Sequence, residues 1–87
     1  MTFTKKYNLL LNNLVVQKTF NEIASKCDNN VIMESSNGQH TVDAKSILGF
    51  FSLNLNQPVV VTINDPKDAE LIEKSLVQKN ISFEVVA

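Results

Sequence analysis

Between a predicted β-hairpin and a run of valines, the chain reads VDAKSILGFFSL over residues 42–53. Ser46 is of the residue type that favours a helix N-cap, because its hydroxyl can accept a hydrogen bond from a backbone N–H of the first turn. Four of the next five residues are apolar. This pattern predicts a short helix of about two turns that begins after Ser46 and ends near Leu53.

The segments on either side of this helix have strand character. Val31 to Ser35 and Gln39 to Asp43 flank the turn at residues 36–38, in which Asn-Gly is a strong hairpin signal because both positions tolerate positive φ. Pro58 to Ile63 contains three successive valines, which indicates a central, largely buried strand. The short helix is therefore expected to connect a hairpin to the middle of a sheet.

A longer helix follows the central strand. Asp65 and Pro66 supply an N-cap and a proline at the first helical position, and Asp68 adds an acidic residue to the first turn. We interpret Asp65, Asp68 and Glu70 as a solvated helix start that is favoured by the helix dipole. The predicted apolar stripe comprises Ala69, Ile72 and Leu76, broadened by Leu71 and Val77.

The two ends of the chain complete the pattern. Phe3 to Leu10 alternates as a strand, and Asn12-Asn13 offers an N-cap for a helix over residues 13–27. The apolar stripe of this helix comprises Val16, Phe20, Ile23, Ala24 and Cys27, and its wet face comprises Lys18, Asn21, Glu22 and Ser25. Ile81 to Val86 alternates again, which predicts a last strand. The order β-α-β-β-α-β-α-β indicates an α+β fold with an antiparallel sheet and helices on one face.

Composition limits the function. The chain has 87 residues, a net charge of −1, one histidine, one cysteine and no arginine. We expect a single domain over residues 1–87, without an internal disulfide, metal site or cofactor, and not an enzyme. The lysines form no basic stripe for nucleic acid, and no apolar run reaches the roughly 20 residues of a membrane helix. A cytoplasmic location is expected.

The order of elements and the 42–53 segment resemble HPr, the small phosphocarrier of the bacterial sugar phosphotransferase system. Lys45-Ser46-Ile47-Leu48-Gly49 followed by Phe51-Ser52-Leu53 is similar to the regulatory-serine signature of that family, and Ala24-Ser25-Lys26 and Asn37-Gly38 also fit. The resemblance implies an open-faced two-layer sandwich with sheet order 1-4-2-3 and helices on one face. The strand at 81–86 departs from the family, and we expect it to pair beside the first strand or across a homodimer interface.

The family's phosphocarrier site is missing. In HPr a Gly-apolar-His-Ala-Arg-Pro motif opens the first helix, and its histidine accepts phosphate. Here that position is Val15 or Asn13, depending on the alignment, and neither side chain can be phosphorylated on an imidazole nitrogen. Histidine phosphocarriage at the usual place is therefore excluded.

The regulatory serine remains. By the resemblance, Ser46 is the target of the HPr kinase/phosphorylase, and Ile47, Leu48 and Phe51 form a docking surface for protein partners such as a catabolite control protein, while Phe50 turns inward. Catabolite-repression HPr similarly lacks the histidine and keeps the serine. The plainer interpretation is that Ser46 only caps the helix, which contributes about 1 kcal/mol, and that the apolar trio is packing.

Two further functions stay open. The chain could be an orphan HPr-like binding or assembly module without phosphorylation, or a phosphocarrier that uses His40 in the hairpin. We interpret His40 as a partly exposed strand residue, since no predicted helix N-terminus lies beside it to stabilise a phosphate. Cys27, on the apolar stripe of the first helix, is interpreted as a core residue rather than a reactive thiol.

Overall fold

The structure is a computed structural model that describes residues 3–35, 37–51 and 55–86. It is an α+β fold with eight elements in the predicted order. These are β1 (Lys5–Leu9), α1 (Leu14–Ser25), β2 (Val31–Ser35), β3 (Thr41–Asp43), α2 (Ile47–Phe51), β4 (Val59–Ile63), α3 (Pro66–Gln78) and β5 (Phe83–Val85). The predicted end of α2 near Leu53 lies outside the described residues.

The sheet is open and fully antiparallel, with strand order β3-β2-β4-β1-β5. β4 is central, and its residue Val61 lies between Tyr7 of β1 and Met33 of β2. The prediction of a central, largely buried strand is confirmed, since Val59, Val61 and Ile63 are buried. Val60 and Thr62 are half-buried because they lie on the sheet face away from the core, whereas the alternating residues are buried.

One face of the sheet forms the core together with the helices. Tyr7 and Leu9 of β1 are buried, as are the equivalent alternating residues of β2 and β4. These residues belong to one cluster that also includes the following side chains from helices: Phe20, Ile23, Ala24, Phe50, Ala69, Ile72 and Leu76. The helices therefore cover this face, which leaves the half-buried residues on the other.

Asn13 caps α1 as predicted. Its side-chain oxygen accepts a hydrogen bond from the Val16 N–H at 2.9 Å, and its backbone is extended. The placement of Asn21 on the wet face is wrong, since its side chain is buried and its Nδ2 donates to the Ala44 carbonyl at 2.9 Å. A buried amide needs such a partner, and the bond attaches α1 to the segment that precedes α2.

Asp65 caps α3 as predicted, accepting from the Asp68 N–H at 3.0 Å, and Pro66 begins the helix. The interpretation of Asp68 as part of a solvated turn is wrong. Its side chain is buried, and its two carboxylate oxygens accept from the backbone N–H groups of Asp28 (3.1 Å) and Asn29 (3.0 Å). Asp68 thus holds the segment after α1 against the start of α3.

Asn80 ends α3 and turns the chain back toward the sheet. Its φ is 58°, in the left-handed region, and the Ile81 N–H donates to the Leu76 carbonyl at 2.9 Å while the Asn80 N–H donates to that of Val77 at 3.2 Å. This pair of bonds is a Schellman motif, and both Leu76 and Ile81 are buried beside it. The turn directs β5 to the free edge of β1, the first of its two predicted positions.

The β2–β3 hairpin has a single left-handed glycine. Gly38 has φ +73°, and its N–H donates to the Ser35 carbonyl at 2.9 Å. Asn37 does not adopt positive φ, since its side-chain oxygen instead accepts from the Gln39 N–H. Ser36 of the predicted turn lies outside the described residues.

Within the described part of the chain, none of the helices has the length and apolar character that crossing a membrane requires.

Candidate functional site

Ser46 lies at the junction of β3 and α2. Its hydroxyl oxygen accepts a hydrogen bond from the Gly49 N–H at 3.3 Å, and its carbonyl accepts from the Phe50 N–H at 2.8 Å. These bonds give it the N-cap position that the sequence predicts. Ser46 is also exposed, so the hydroxyl is accessible from solvent while it caps the helix.

The short helix presents its apolar residues unequally. Phe50 is fully buried, with its ring 6.1 Å from that of Phe20 and 5.0 Å from that of Phe51. Ile47 is 66% exposed, Leu48 87% and Phe51 38%. At about 100° per residue, these three positions fall within an arc of about 100°, and Phe50 lies outside it. One buried ring therefore anchors α2, and its outer side is apolar. We call Ile47, Leu48 and Phe51 the α2 patch.

Two side chains attach the start of α2 to the end of α1. Besides the bond from Asn21 to Ala44, the Lys45 ammonium donates to the Cys27 carbonyl at 2.8 Å and lies 3.5 Å from the Asn29 carbonyl. Lys45 is therefore engaged with the segment that follows α1, although it precedes Ser46 directly.

The negative charge nearest to Ser46 in the sequence is Asp43. Its carboxylate accepts from the Lys45 N–H at 2.9 Å, and its carbonyl accepts from the Ser46 N–H at 3.1 Å. A phosphate on Ser46 would be favoured by the backbone N–H groups at the start of α2 and disfavoured by the Asp43 carboxylate. The exposure of Ser46 limits both effects through solvent screening.

The start of α1, which the resemblance aligns with the phosphocarrier histidine of HPr, is apolar. Asn13 is committed to capping, and Leu14 and Val15 are 57% and 75% exposed. Gln17 donates from its side chain to the Leu11 carbonyl at 2.9 Å, which ties the first turn to the preceding segment. Neither Asn13 nor Val15 has a nucleophilic nitrogen, so this helix start has no group that could carry phosphate.

His40 lies in the hairpin, one residue before β3 rather than within a strand as the sequence suggested. Its carbonyl accepts from the Ser35 N–H at 2.9 Å, and its N–H donates to the Ser35 hydroxyl at 3.2 Å. The side chain is exposed. Within the described chain, no group forms a hydrogen bond or ion pair with the imidazole, so His40 has no general base or cation arranged around it.

Cys27 is a buried thiol. It is 4% exposed, and its Sγ lies 3.9 Å from the Ile23 carbonyl, one turn earlier in the chain. Burial raises the pKa of the Cys27 thiol to about 11, and the negative charge of Asp68 adds to this shift. A thiol with this pKa is mostly protonated at neutral pH and is a poor nucleophile.

Sequence reasoning missed a three-residue cluster between β1 and α3. The Glu73 carboxylate accepts from both the Lys5 ammonium and the hydroxyl of the buried Tyr7. The hydrogen bond from Lys5, and to a smaller extent the one from Tyr7, lowers the pKa of Glu73. Burial, together with the Glu73 carboxylate, raises the pKa of Tyr7 well above its usual range. The alternation of β1 places Lys5 and Tyr7 on one face, but no short-range signal pairs them with Glu73.

No group of three or more His, Cys, Asp or Glu side chains among residues 3–35, 37–51 and 55–86 is arranged to hold a metal ion. No protein-family model matches the chain, and no curated protein matches it at a significant level. The features of the chain that bear on its function are therefore the geometry around Ser46 and the resemblance of residues 42–53 to HPr.

Proposed function

We propose that this chain is a divergent, non-catalytic HPr-like protein that binds protein partners through the α2 patch and is regulated by phosphorylation of Ser46. The sheet supports the family assignment, because β1 to β4 lie in the order 1-4-2-3 that the resemblance implies. The core supports it as well, since the helices cover one face of the sheet and leave the other open.

The observation that carries the proposal is the position of the α2 patch beside an exposed serine. Large apolar side chains on a short helix lose water contact only when a partner covers them, and Leu48 is 87% exposed. Burying such side chains in a partner is a common source of binding energy. Ser46 immediately precedes the patch, so a modification there would lie at the edge of any complex that the patch forms.

Phosphorylation of Ser46 would add a charge of roughly −1.5 to −2 beside the patch. A partner with lysine or arginine around an apolar pocket would bind the phosphorylated form more tightly. A partner with acidic residues there would be repelled. We propose a catabolite control protein as a partner of the first kind, the HPr kinase/phosphorylase as the modifying enzyme, and the cytoplasm as the location.

Incubation with bacterial HPr kinase/phosphorylase and ATP tests the regulatory part. The wild type is expected to gain one phosphate by intact mass, Ser46→Ala none, and the matched control Ser82→Ala one, since Ser82 is another exposed serine. If the wild type remains unmodified, the regulatory part of the proposal is wrong.

Calorimetric titration of a bacterial catabolite control protein with the phosphorylated chain tests the docking part. Leu48→Lys is expected to abolish heat of binding, whereas the matched control Val77→Lys, an exposed valine on α3, should not. Equal binding by both variants would show that the α2 patch is not the docking surface.

A second function, an HPr-like module without phosphorylation, is favoured by one observation. The helix start that carries the family's phosphoryl chemistry presents the exposed apolar residues Leu14 and Val15 instead. An unmodified Ser46 in the kinase experiment, combined with partner binding by the unphosphorylated chain that Leu48→Lys abolishes, would support this second function.

A further inference from the structure

Among the described residues, backbone groups at the outer edge of β5 have no hydrogen-bond partner. Val86 donates from its N–H to the Lys6 carbonyl at 2.8 Å, and Glu84 pairs with Asn8. Hydrogen-bonding direction alternates along an antiparallel strand, so the N–H and C=O groups of Phe83 and Val85 point away from β1. This edge therefore offers two N–H and two C=O groups to an added strand.

The side chains at this edge are apolar on the helix side. Val85 lies opposite Tyr7 and Phe83 opposite Leu9, so both share the face that the helices cover. The Phe83 ring meets the Tyr7 ring edge-on at 5.8 Å, whereas Val85 is 52% exposed. A shallow groove of about 360 Å³ runs between β5 and α3, and it is lined by Phe83, the exposed Val77, Glu73, Lys74 and Gln78. An added strand would place alternate side chains over this groove.

The opposite edge of the sheet is different. His40 and Ala44, which flank β3, form backbone hydrogen bonds with Ser35 and Val31 of β2. Because the bonding direction alternates along the strand, the backbone groups of Thr41 and Asp43 point away from β2. Both residues are polar and exposed. A carboxylate at an edge strand discourages pairing with another chain. Polar side chains therefore disfavour strand pairing at the β3 edge. At the β5 edge, the residues with outward backbone groups, Phe83 and Val85, are apolar.

The charge on the other face of β5 identifies the kind of strand that fits. Glu84 is exposed, and neither ion pair of the described residues includes it. If two copies paired through β5 so that Phe83 met Val85 of the second copy, the two Glu84 carboxylates would lie directly opposite each other. Like charges in that position are destabilising, whereas a basic residue there is favourable. In this register, the one that pairs the outward groups of Phe83 and Val85 on both copies, a second copy is therefore a poor occupant.

We propose that the outer edge of β5 binds an extended segment of another protein in which apolar and basic residues alternate, by β-strand addition. The backbone groups of Phe83 and Val85 bond to the segment, its apolar side chains cover Phe83 and Val85, and a lysine or arginine lies opposite Glu84. This site is separate from the α2 patch, so its test does not depend on phosphorylation of Ser46.

The probe is a capped peptide, Val-Lys-Val-Lys-Val, and its matched control has glutamate in place of lysine. Amide hydrogen exchange followed by NMR is expected to show that the lysine peptide protects the Phe83 and Val85 N–H groups, which exchange fast in the free protein. The amides of Glu84 and Val86 face β1 and should be slow in both states. The lysine peptide should bind about fivefold more tightly than the glutamate peptide.

Glu84→Lys should reverse this preference, and Glu84→Gln should remove it. A peptide that is N-methylated on the amides facing β5 should not bind even to the unmodified protein, which keeps the test valid if a variant fails to fold. The proposal is overturned if saturating lysine peptide leaves the Phe83 and Val85 amides unprotected, or if the two peptides bind equally. It is also overturned if those amides become protected at high protein concentration without peptide, which would identify a second copy as the occupant.

Discussion

The hydroxyl of Tyr7, on the central part of β1, donates a hydrogen bond to the carboxylate of Glu73 on α3. Tyr7 is fully buried, so the bond satisfies a polar group that would otherwise lack a partner in the core. The Lys5 ammonium donates to the same oxygen and balances its charge. These contacts join β1, which pairs with β5, to α3, which lines the groove beside β5.

Removal of the Tyr7 hydroxyl should destabilise the fold. Tyr7→Phe deletes a hydrogen bond to a charged acceptor, and because Glu73 keeps Lys5 and part of its hydration, we expect a loss of about 1–2 kcal/mol in the free energy of unfolding. Urea denaturation measures this loss. Phe83→Leu, which changes the ring packed against Tyr7 but no hydrogen bond, is the control for packing. An unchanged midpoint in Tyr7→Phe would show that the bond contributes nothing.

Glu73 should make stability depend on pH. Its hydrogen bonds with Lys5 and then Tyr7 lower its pKa below the usual value near 4.5, so its stabilising contribution is complete above that pH. The contribution is lost as the pH falls toward the lowered pKa and the carboxylate is protonated. The difference in unfolding free energy between wild type and Glu73→Gln should therefore be constant above about pH 5 and shrink below it. Glu70→Gln, which removes the exposed pair with Lys74, should show a much smaller difference.

Asp68 should be among the residues most sensitive to substitution. Asp68→Asn replaces one of two acceptor oxygens with an amide group that faces a backbone N–H, so one buried donor loses its partner. We expect a loss of about 1–3 kcal/mol in urea denaturation. Amide exchange at Asp28 and Asn29 should accelerate more than exchange in β4. Unchanged exchange at those two amides would contradict the bonding described here.

The short-range signals in the sequence predicted most of the local structure. The caps at Asn13, Ser46 and Asp65 each depend on a hydrogen bond to a residue three positions later, and the segment itself contains both partners. Signals of this kind reveal where helices begin. The burial of Phe50 and the exposure of the α2 patch were implied instead by the resemblance of residues 42–53 to HPr.

The buried polar residues could not be predicted in the same way. Asp68 binds residues about 40 positions away, and Asn21 binds Ala44, 23 positions away. A polar residue is assigned to the surface by default, and only the folded chain shows that a distant backbone group satisfies it. The bond from the Lys45 ammonium to the Cys27 carbonyl, 18 positions away, was missed for the same reason.

Because Asn80 has a left-handed backbone conformation, we expect two substitutions there to have opposite effects on the free energy of unfolding. Asn80→Gly removes the steric cost of positive φ and should leave the protein equally stable or raise the free energy of unfolding by about 0.5 kcal/mol. Asn80→Val should lower it by about 1–2 kcal/mol, because a β-branched residue fits this region poorly. Thermal denaturation compares them, with Lys79→Val as the control at the neighbouring position of negative φ. Equal losses in Asn80→Val and Lys79→Val would contradict the Schellman turn as the source of the effect.

Cys27 should be almost unreactive in the folded protein. At pH 8 about a tenth of a thiol with a pKa near 9 is ionised, but only about a thousandth when the pKa is about 11, and the Sγ is also shielded from solvent. The rate of labelling by a disulfide reagent should therefore be at least about a hundredfold slower in buffer than in urea. The double variant Cys27→Ala/Ser82→Cys moves the single thiol to an exposed position and should label rapidly in both solvents. Fast labelling of the wild type in buffer would mean that the end of α1 opens readily, and the bonds from Lys45 and Asp68 to that segment would then be too weak to hold it closed.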